Sequence, residues 1–288
     1  MLLFSALVAG SFALGARVAN DMAPAALNAV RFWIASGLLG VIVAMTTGVP
    51  KGAMRASWRY PVLGGVFSVY FVLMFEGLKT AAPVSAAAVF TLTPVLAAAF
   101  GWLLLRQITT PRMALALCIG CIGALWVVFR ADLNALRAFA VGRGEVIYFV
   151  GCIAHALYAP MVRKLNRGEP AVFFTFGMLV AGSVLLTAFA WTDLRATEWA
   201  AVPTRVWVAI LYLAVFASAA SFLLLQIGTL RLPSAKVMAY TYLTQSWVIC
   251  WELALGGSAP PLLVMGGVGL SVFALLLLLR DEEEVQTA

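Results

Sequence analysis

Charged residues punctuate this chain, and the stretches between them are long and apolar. Uncharged or nearly uncharged runs cover residues 1–16, 22–45 (broken by Arg31), 60–75, 80–105, 113–129, 146–162, 170–192, 206–230, 237–251 and 253–279. Most approach the roughly 17–25 residues that a helix needs to cross a hydrocarbon core. The shorter ones reach it when a terminal charged side chain snorkels to the interface. The pattern predicts an all-α integral membrane protein of ten transmembrane helices.

The breaks between runs carry turn chemistry. Gly48-Val49-Pro50-Lys51-Gly52 closes the second run, Thr110-Pro111-Arg112 opens the fifth, Gly168-Glu169-Pro170 follows the sixth, and Leu232-Pro233 follows the eighth. Proline removes a backbone donor and glycine raises backbone entropy, so both end helices here. Composition agrees: 64% of the chain is hydrophobic and 11% charged, against roughly 45–50% and 25% in soluble domains. Residues 1–16 are uncharged and run straight to Arg17, which predicts a retained first helix and not a signal peptide.

The net charge of +7 does not point to nucleic acid, because the Lys and Arg residues are scattered between apolar runs. With the amino terminus cytoplasmic, the inside connections carry Lys51, Arg55, Arg59, Arg106, Arg112, Arg163, Lys164, Arg167, Arg231, Lys236 and Arg280. The outside ones carry Arg17, Lys79, Arg130, Arg137, Arg143, Arg195 and Arg205. This asymmetry predicts both termini inside, with residues 281–288 as an acidic cytoplasmic tail. Cys118, Cys121, Cys152 and Cys250 all sit in apolar runs, and the Cys118/Cys121 pair, a CxxC, reads as buried small hydrophobes and not as a redox dithiol. With one histidine in the chain, no metal site is expected, and nothing implies a cofactor.

Similar segments recur along the chain. Thr91-Leu92-Thr93-Pro94 resembles Tyr242-Leu243-Thr244-Gln245, and Leu78 to Pro83 resembles Thr229 to Ser234. The period predicts two halves of five spans, 1–130 and 144–280. An odd number of spans turns the second half upside down, giving inverted repeats with a solute site at their interface near the midplane.

Thr93-Pro94 and the Gly120/Gly123 spacing within 78–128, Ala239-Tyr240-Thr241-Tyr242-Leu243-Thr244 within 230–268, and Arg31 in Ala-Val-Arg-Phe carry a resemblance. Over nearly its whole length the chain resembles the EamA-type transporters of the drug/metabolite transporter superfamily. It departs from the pattern at Ala9-Gly10, Arg106-Gln107, Gln245 and Gly257-Ser258. The resemblance implies ten helices in two inverted EamA repeats and export of metabolites or amino acids across a bacterial inner membrane.

Intramembrane polar residues are costly, so they map a pathway. The fifth and tenth runs are almost free of them, which places those helices at the periphery. Gly120, Gly123, Gly266, Gly267 and Gly269 there permit close helix contact, within the monomer or across a homodimer seam. The ninth run is rich in polar groups, and helical spacing puts Met238, Tyr242, Gln245 and Glu252 on one face. With Trp251 they face Thr91 and Thr93, Tyr70 and Glu76, His155 and Tyr158, and Ser221 as the expected substrate pathway. Each has a plainer reading. Glu76, Glu252 and Trp251 suit an interface, and His155 suits a helix-to-helix hydrogen bond. Arg31 either snorkels or pairs with Asp21, Glu76 or Glu252, and Pro94 kinks the fourth helix.

No GxxxxGK[ST], HExxH or GxSxG motif is present, so neither direct ATP use nor the common intramembrane hydrolase chemistries have a carrier, and no catalytic residue is expected. The reading is a secondary active transporter, an exporter by alternating access, of an amino acid or related neutral or amphipathic metabolite. Coupling to protons or solute exchange would drive it. A non-transporting receptor or scaffold is the alternative, ahead of an intramembrane enzyme.

Overall fold

The structure, a computed structural model of the chain, describes residues 1–138 and 141–287, with side-chain surroundings given as far as residue 279. Among the described residues all regular elements are helical. In chain order they are α1 (Leu2–Val18), α2 (Pro24–Met45), α3 (Arg59–Leu78), α4 (Pro83–Leu105), α5 (Pro111–Val128), α6 (Arg143–Leu165), α7 (Ala171–Phe189), α8 (Thr204–Arg231), α9 (234–254) and α10 (Leu262–Thr287). Short helices at Leu133–Arg137 and Trp191–Ala196 sit in connections.

Eight of these, α2 to α8 and α10, are long and apolar enough to cross a membrane. The first and ninth predicted spans are shorter pieces: α1 has 17 residues, and α9 runs as Ser234–Ala239, a 3₁₀ turn at Tyr240–Leu243, and Thr244–Ala254. The acidic side chains of 281–284, expected in a cytoplasmic tail, lie outside the residues whose side chains are described.

Local chemistry sets the helix ends. Pro24, Pro83 and Pro111 stand at first-turn positions, where a missing N–H costs nothing. The Thr110 hydroxyl caps α5 by accepting from the Met113 amide at 3.1 Å. Within α4 the helix breaks at Thr91-Leu92 and restarts at Thr93 with Pro94 in its first turn. The expected distortion at Pro94 is thus a two-residue tightened turn, through which Thr91 and Leu92 keep hydrogen bonds to Ala88 and Val89.

The helices pack as pairs: α2 with α7, α3 with α6 and α7, α5 with α10, α1 with α8 and α9, and α4 with α6 and α9. Lipid gives little hydrophobic drive for this, so close approach and interhelical hydrogen bonds carry it. A Cβ on Gly64 of α3 would lie 2.6 Å from the Met178 carbonyl of α7, and one on Gly123 would lie 2.6 Å from the Gly267 carbonyl. Gly120, Gly123 and Gly267 therefore serve contact within the chain, whereas Gly266 and Gly269 face open space. Ser36 and Ser183 hydroxyls meet at 3.3 Å between α2 and α7, and Trp126 donates to the Leu263 carbonyl at 2.9 Å.

Polarity is inverted relative to a soluble core. Trp33, Ile42, Val69, Leu115, Ile122 and Phe273 face outward, whereas Asn28, Arg31, His155, Gln226 and Gln245 are buried. The same outward faces hold two of the cysteines. Cys118 and Cys250 are exposed, Cys121 is half-buried and Cys152 is buried, which corrects the expectation that Cys118 and Cys121 are both buried, because an apolar span has a lipid-facing side.

Ion pairs mark the two ends. Opposite the Met1 end, Arg17 meets Glu252 at 2.7 Å and Arg205 meets Asp21 at 2.9 Å. At the Met1 end Arg59 meets Glu169 at 2.5 Å. Partial burial pushes the Glu169 carboxyl up, but hydrogen bonds from Arg59 and the Arg167 amide outweigh it and hold the group below the usual carboxylate range.

Candidate functional site

The centre of the bundle is an aromatic box around a small cavity lined by residues of α1, α3, α6 and α8, among them Ser11, Tyr70, Phe71, His155, Ala217 and Ser221. Phe67 stacks on Tyr158 at 4.3 Å between ring centres and meets the edge of Phe222 at 4.3 Å. His155 lies 4.4 Å from the Tyr70 ring and 5.0 Å from Phe90. The cavity's open volume is about 10 Å³, at the lower limit for one water molecule. The bundle is therefore closed around its centre.

Two polar atoms at this cavity lack a hydrogen-bond partner, His155 Nδ1 and Ser221 Oγ. A buried unpaired polar atom costs about 1–3 kcal/mol, and such atoms are rare enough to need a reason. Tyr70 is better served, sharing a 3.2 Å hydrogen bond with the Tyr148 hydroxyl. Tyr158 donates to Gln226 Oε1 at 3.1 Å, with Met178 Sδ also near. The Gln226 amide nitrogen stays unpartnered.

Arg31 does not line the cavity but lies behind two residues that do, Phe71 and Ala217. It is fully buried, and its guanidinium lies 4.0 Å above the Phe71 ring. Nε donates to Ser218 Oγ at 2.6 Å, Nη2 to the Ala217 carbonyl at 2.8 Å, and Nη1 to Asn28 Oδ1 at 3.3 Å. Ala217 and Ser218 belong to a π-helical stretch, Val215–Ala220, inside α8. Widening the turn disturbs the regular backbone ladder, and Arg31 takes up one of the carbonyls there. No carboxylate reaches Arg31 among the described residues, so the expected ion pair with Asp21, Glu76 or Glu252 is replaced by neutral acceptors. Asp21 and Glu252 are held by arginines at one end of the molecule, and Glu76 by Lys79.

A second polar cluster joins the two helix interruptions. Gln245 donates to Thr91 Oγ1 at 2.9 Å, and the Thr93 and Thr241 hydroxyls meet at 3.3 Å. Gln245 Oε1 and Thr244 Oγ1 remain unpartnered.

The residues named from sequence thus separate into groups. Tyr70, His155 and Ser221 line the cavity, Tyr158 closes one side of the box, and Thr91, Thr93 and Gln245 bind the breaks of α4 and α9. Tyr242 turns away, packing over Gly120 with Met113, Ala116 and Leu117 of α5. Trp251 sits edge-on to Tyr212 at 5.4 Å. Glu76 pairs with Lys79 at 2.7 Å with its side chain 40% exposed, and Glu252 pairs with Arg17. The 3₁₀ turn at Tyr240–Leu243 interrupts the register that would have aligned Tyr242 with Gln245 and Glu252. Sequence reasoning missed Phe67, Phe71, Phe222 and Ser218. The small-residue run Ala217-Ser218-Ala219-Ala220-Ser221 in the middle of an apolar stretch was the available signal for the last.

The Uncharacterized transporter YyaM of Bacillus subtilis (strain 168) is 26% identical over 269 residues, covering 92% of this chain and 88% of that protein. A solved crystal structure superposes with a TM-score of 0.73 at 22% identity, covering 96% of this chain and 94% of the other, so the fold is shared. The sequence pattern of the EamA-like transporter family, a domain of the drug/metabolite transporter superfamily, matches residues 1–129 and again 142–280. With an all-helical bundle whose outer faces are apolar, the chain is a multi-pass membrane protein and belongs to the EamA-like transporter family.

Proposed function

We propose that the protein is a secondary transporter that carries a small amphipathic metabolite, an amino acid or close relative, by alternating access through the aromatic cavity. The observation that carries this is the cavity's make-up. Aromatic walls surround the unpartnered His155 Nδ1 and Ser221 Oγ, beside a buried cation without a carboxylate. Binding sites for small molecules have this form, apolar walls with a few placed polar groups. A buried cation is stabilised by a counter-anion, and a substrate carboxylate supplies one to Arg31 when the box opens.

The architecture proposed with it is ten crossings, α1 and α9 included, in two inverted five-helix repeats at 1–130 and 144–280. Packing supports this reading. Shifting each helix by five maps α2/α7 and α5/α10 onto themselves, α3/α6 onto α8/α1, and α4/α6 onto α9/α1. The interruption at Thr91-Leu92 also recurs at Tyr240–Leu243, and the restarts at Thr93 and Thr244 lie at the same distance from the starts of α4 and α9. Broken helices of this kind surround the sites of transporters built from inverted repeats. The connections read as inside carry more of the Lys and Arg residues than those read as outside, which fits that end facing the cytoplasm of a bacterial inner membrane. Export is the direction proposed, and protons or solute exchange the coupling.

The test is flux in proteoliposomes with paired probes: labelled phenylalanine, leucine and alanine, and the amide of each. We expect saturable flux of the acids at least tenfold faster than of their amides. Equal rates would remove the carboxylate role, and absence of flux for every probe with folded protein would remove the transport reading.

A further inference from the structure

At the Met1 end of the bundle, the α2–α3 connection and the α6–α7 connection enclose a cavity of about 280 Å³. Its wall includes Lys51, Arg55, Arg59, Arg167 and Glu169. Glu169 is already engaged by the Arg59 guanidinium at 2.5 Å and the Arg167 amide at 2.7 Å. Arg59 is buried and also donates to the carbonyls of Arg55, Ala56 and Leu165, so it fastens the two connections together. The side chains of Lys51, Arg55 and Arg167 have no ion pair among the described residues. Three uncompensated cations therefore converge on one concavity.

The sign of the site is specific to this end. The corresponding hollow at the opposite end contains Arg130 together with Asp132 and Glu145, so its acids outnumber its cation and it does not attract an anion. Beside the basic cavity the chain presents apolar side chains outward: Met45 is 80% exposed, Val49 69%, Met54 71% and Trp58 53%. A soluble anion has no use for such a rim. A lipid does, because its phosphate lies level with the cations while its chains run beside the apolar residues. Tryptophan also favours the interfacial depth at which a headgroup sits, and basic hollows between membrane helices suit anionic headgroups.

We propose that this cavity binds the phosphate of an anionic phospholipid, held by Lys51, Arg55 and Arg167 with Arg59 as its fixed floor. The site is separate from the central cavity and stands whatever the solute proves to be. Its occupancy ties the α2–α3 and α6–α7 connections together from outside.

Native mass spectrometry of the full chain in a non-ionic detergent reads this directly, with phosphatidylglycerol and phosphatidylcholine of matched chains as probes. We expect the wild type to retain phosphatidylglycerol in preference by roughly tenfold to a hundredfold, since each cation near a membrane surface contributes about 1 kcal/mol. The triple variant Lys51→Gln, Arg55→Gln, Arg167→Gln should lose that preference. It alters exposed groups without ion pairs, and an unchanged thermal unfolding transition checks that it folds. The control Arg137→Gln, Arg195→Gln at the other end should keep the preference. Equal retention of both lipids, an unaffected triple variant, a control that also loses the preference, or displacement of the lipid by millimolar inorganic phosphate would each overturn the proposal.

Discussion

Arg31 shows what a buried cation does when no carboxylate is within reach. It takes a serine hydroxyl, an asparagine oxygen and a carbonyl from a widened turn, and lies over a phenylalanine ring. Arg31→Lys keeps the charge but loses the forked donors. We expect it to slow flux of the amino acid probes by roughly tenfold to a hundredfold, the effect of losing one hydrogen bond to a charged group. Arg31→Gln should lower flux further and erase the distinction between acids and amides. Glu169 is a separate test. Its carboxyl is held below the usual range by Arg59, so its contribution is present above the unfolded carboxylate pKa and fades as pH falls through the folded value. Glu169→Gln should lower stability near neutral pH by about 1 kcal/mol, allowing for solvent screening at this end. The difference from wild type should vanish in acid, as read by thermal unfolding across pH. At this scale polarity within a span made Tyr70, His155 and Ser221 legible. It did not give depth, so Glu76 and Glu252 were expected inward although each lies within reach of a basic partner at a helix end. Phe67, Phe71 and Phe222 were silent because an aromatic residue in an apolar run looks the same facing lipid or cavity.

The helices themselves were readable because charges and prolines bracket them, and Pro24, Pro83 and Pro111 stand in the first turns of α2, α4 and α5. Their interruptions were only half readable. Pro94 announced the break in α4, but no proline marks Tyr240–Leu243 or the π-helical stretch at Val215–Ala220. The residues of that stretch are compatible with an ordinary helix, and its widened turn is matched by tertiary contacts from Arg31. Helix contact depends on surfaces that sequence alone leaves unpaired. Gly64 reads as one glycine among many until the Met178 carbonyl and the Gly182 amide are found against it. Gly64→Leu should force α3 from α7 and cost about 1–3 kcal/mol or more, seen as a lower unfolding temperature and less folded protein in detergent. Gly37→Leu is the matched control, because its missing Cβ faces open space, and it should behave as wild type.

Across the whole molecule, the family match over 1–129 and 142–280 and the correspondence of packed pairs under a shift of five helices support a duplicated, inverted design. The centre is closed, with room for about one water, so in the proposed transport cycle a solute would reach His155 and Ser221 only after the bundle opens toward one side. Alternating access, if it operates as proposed, would make exchange faster than net flow whenever the return of the empty carrier is slow. Counterflow measures this: proteoliposomes are loaded with unlabelled solute, diluted into a trace of labelled solute, and followed for transient uptake above equilibrium. The solute is whichever probe shows saturable flux. An overshoot is expected that disappears when the interior is empty and is lost in His155→Trp, which fills the cavity. Uptake that rises only to equilibrium, unchanged by internal solute or by His155→Trp, would contradict it.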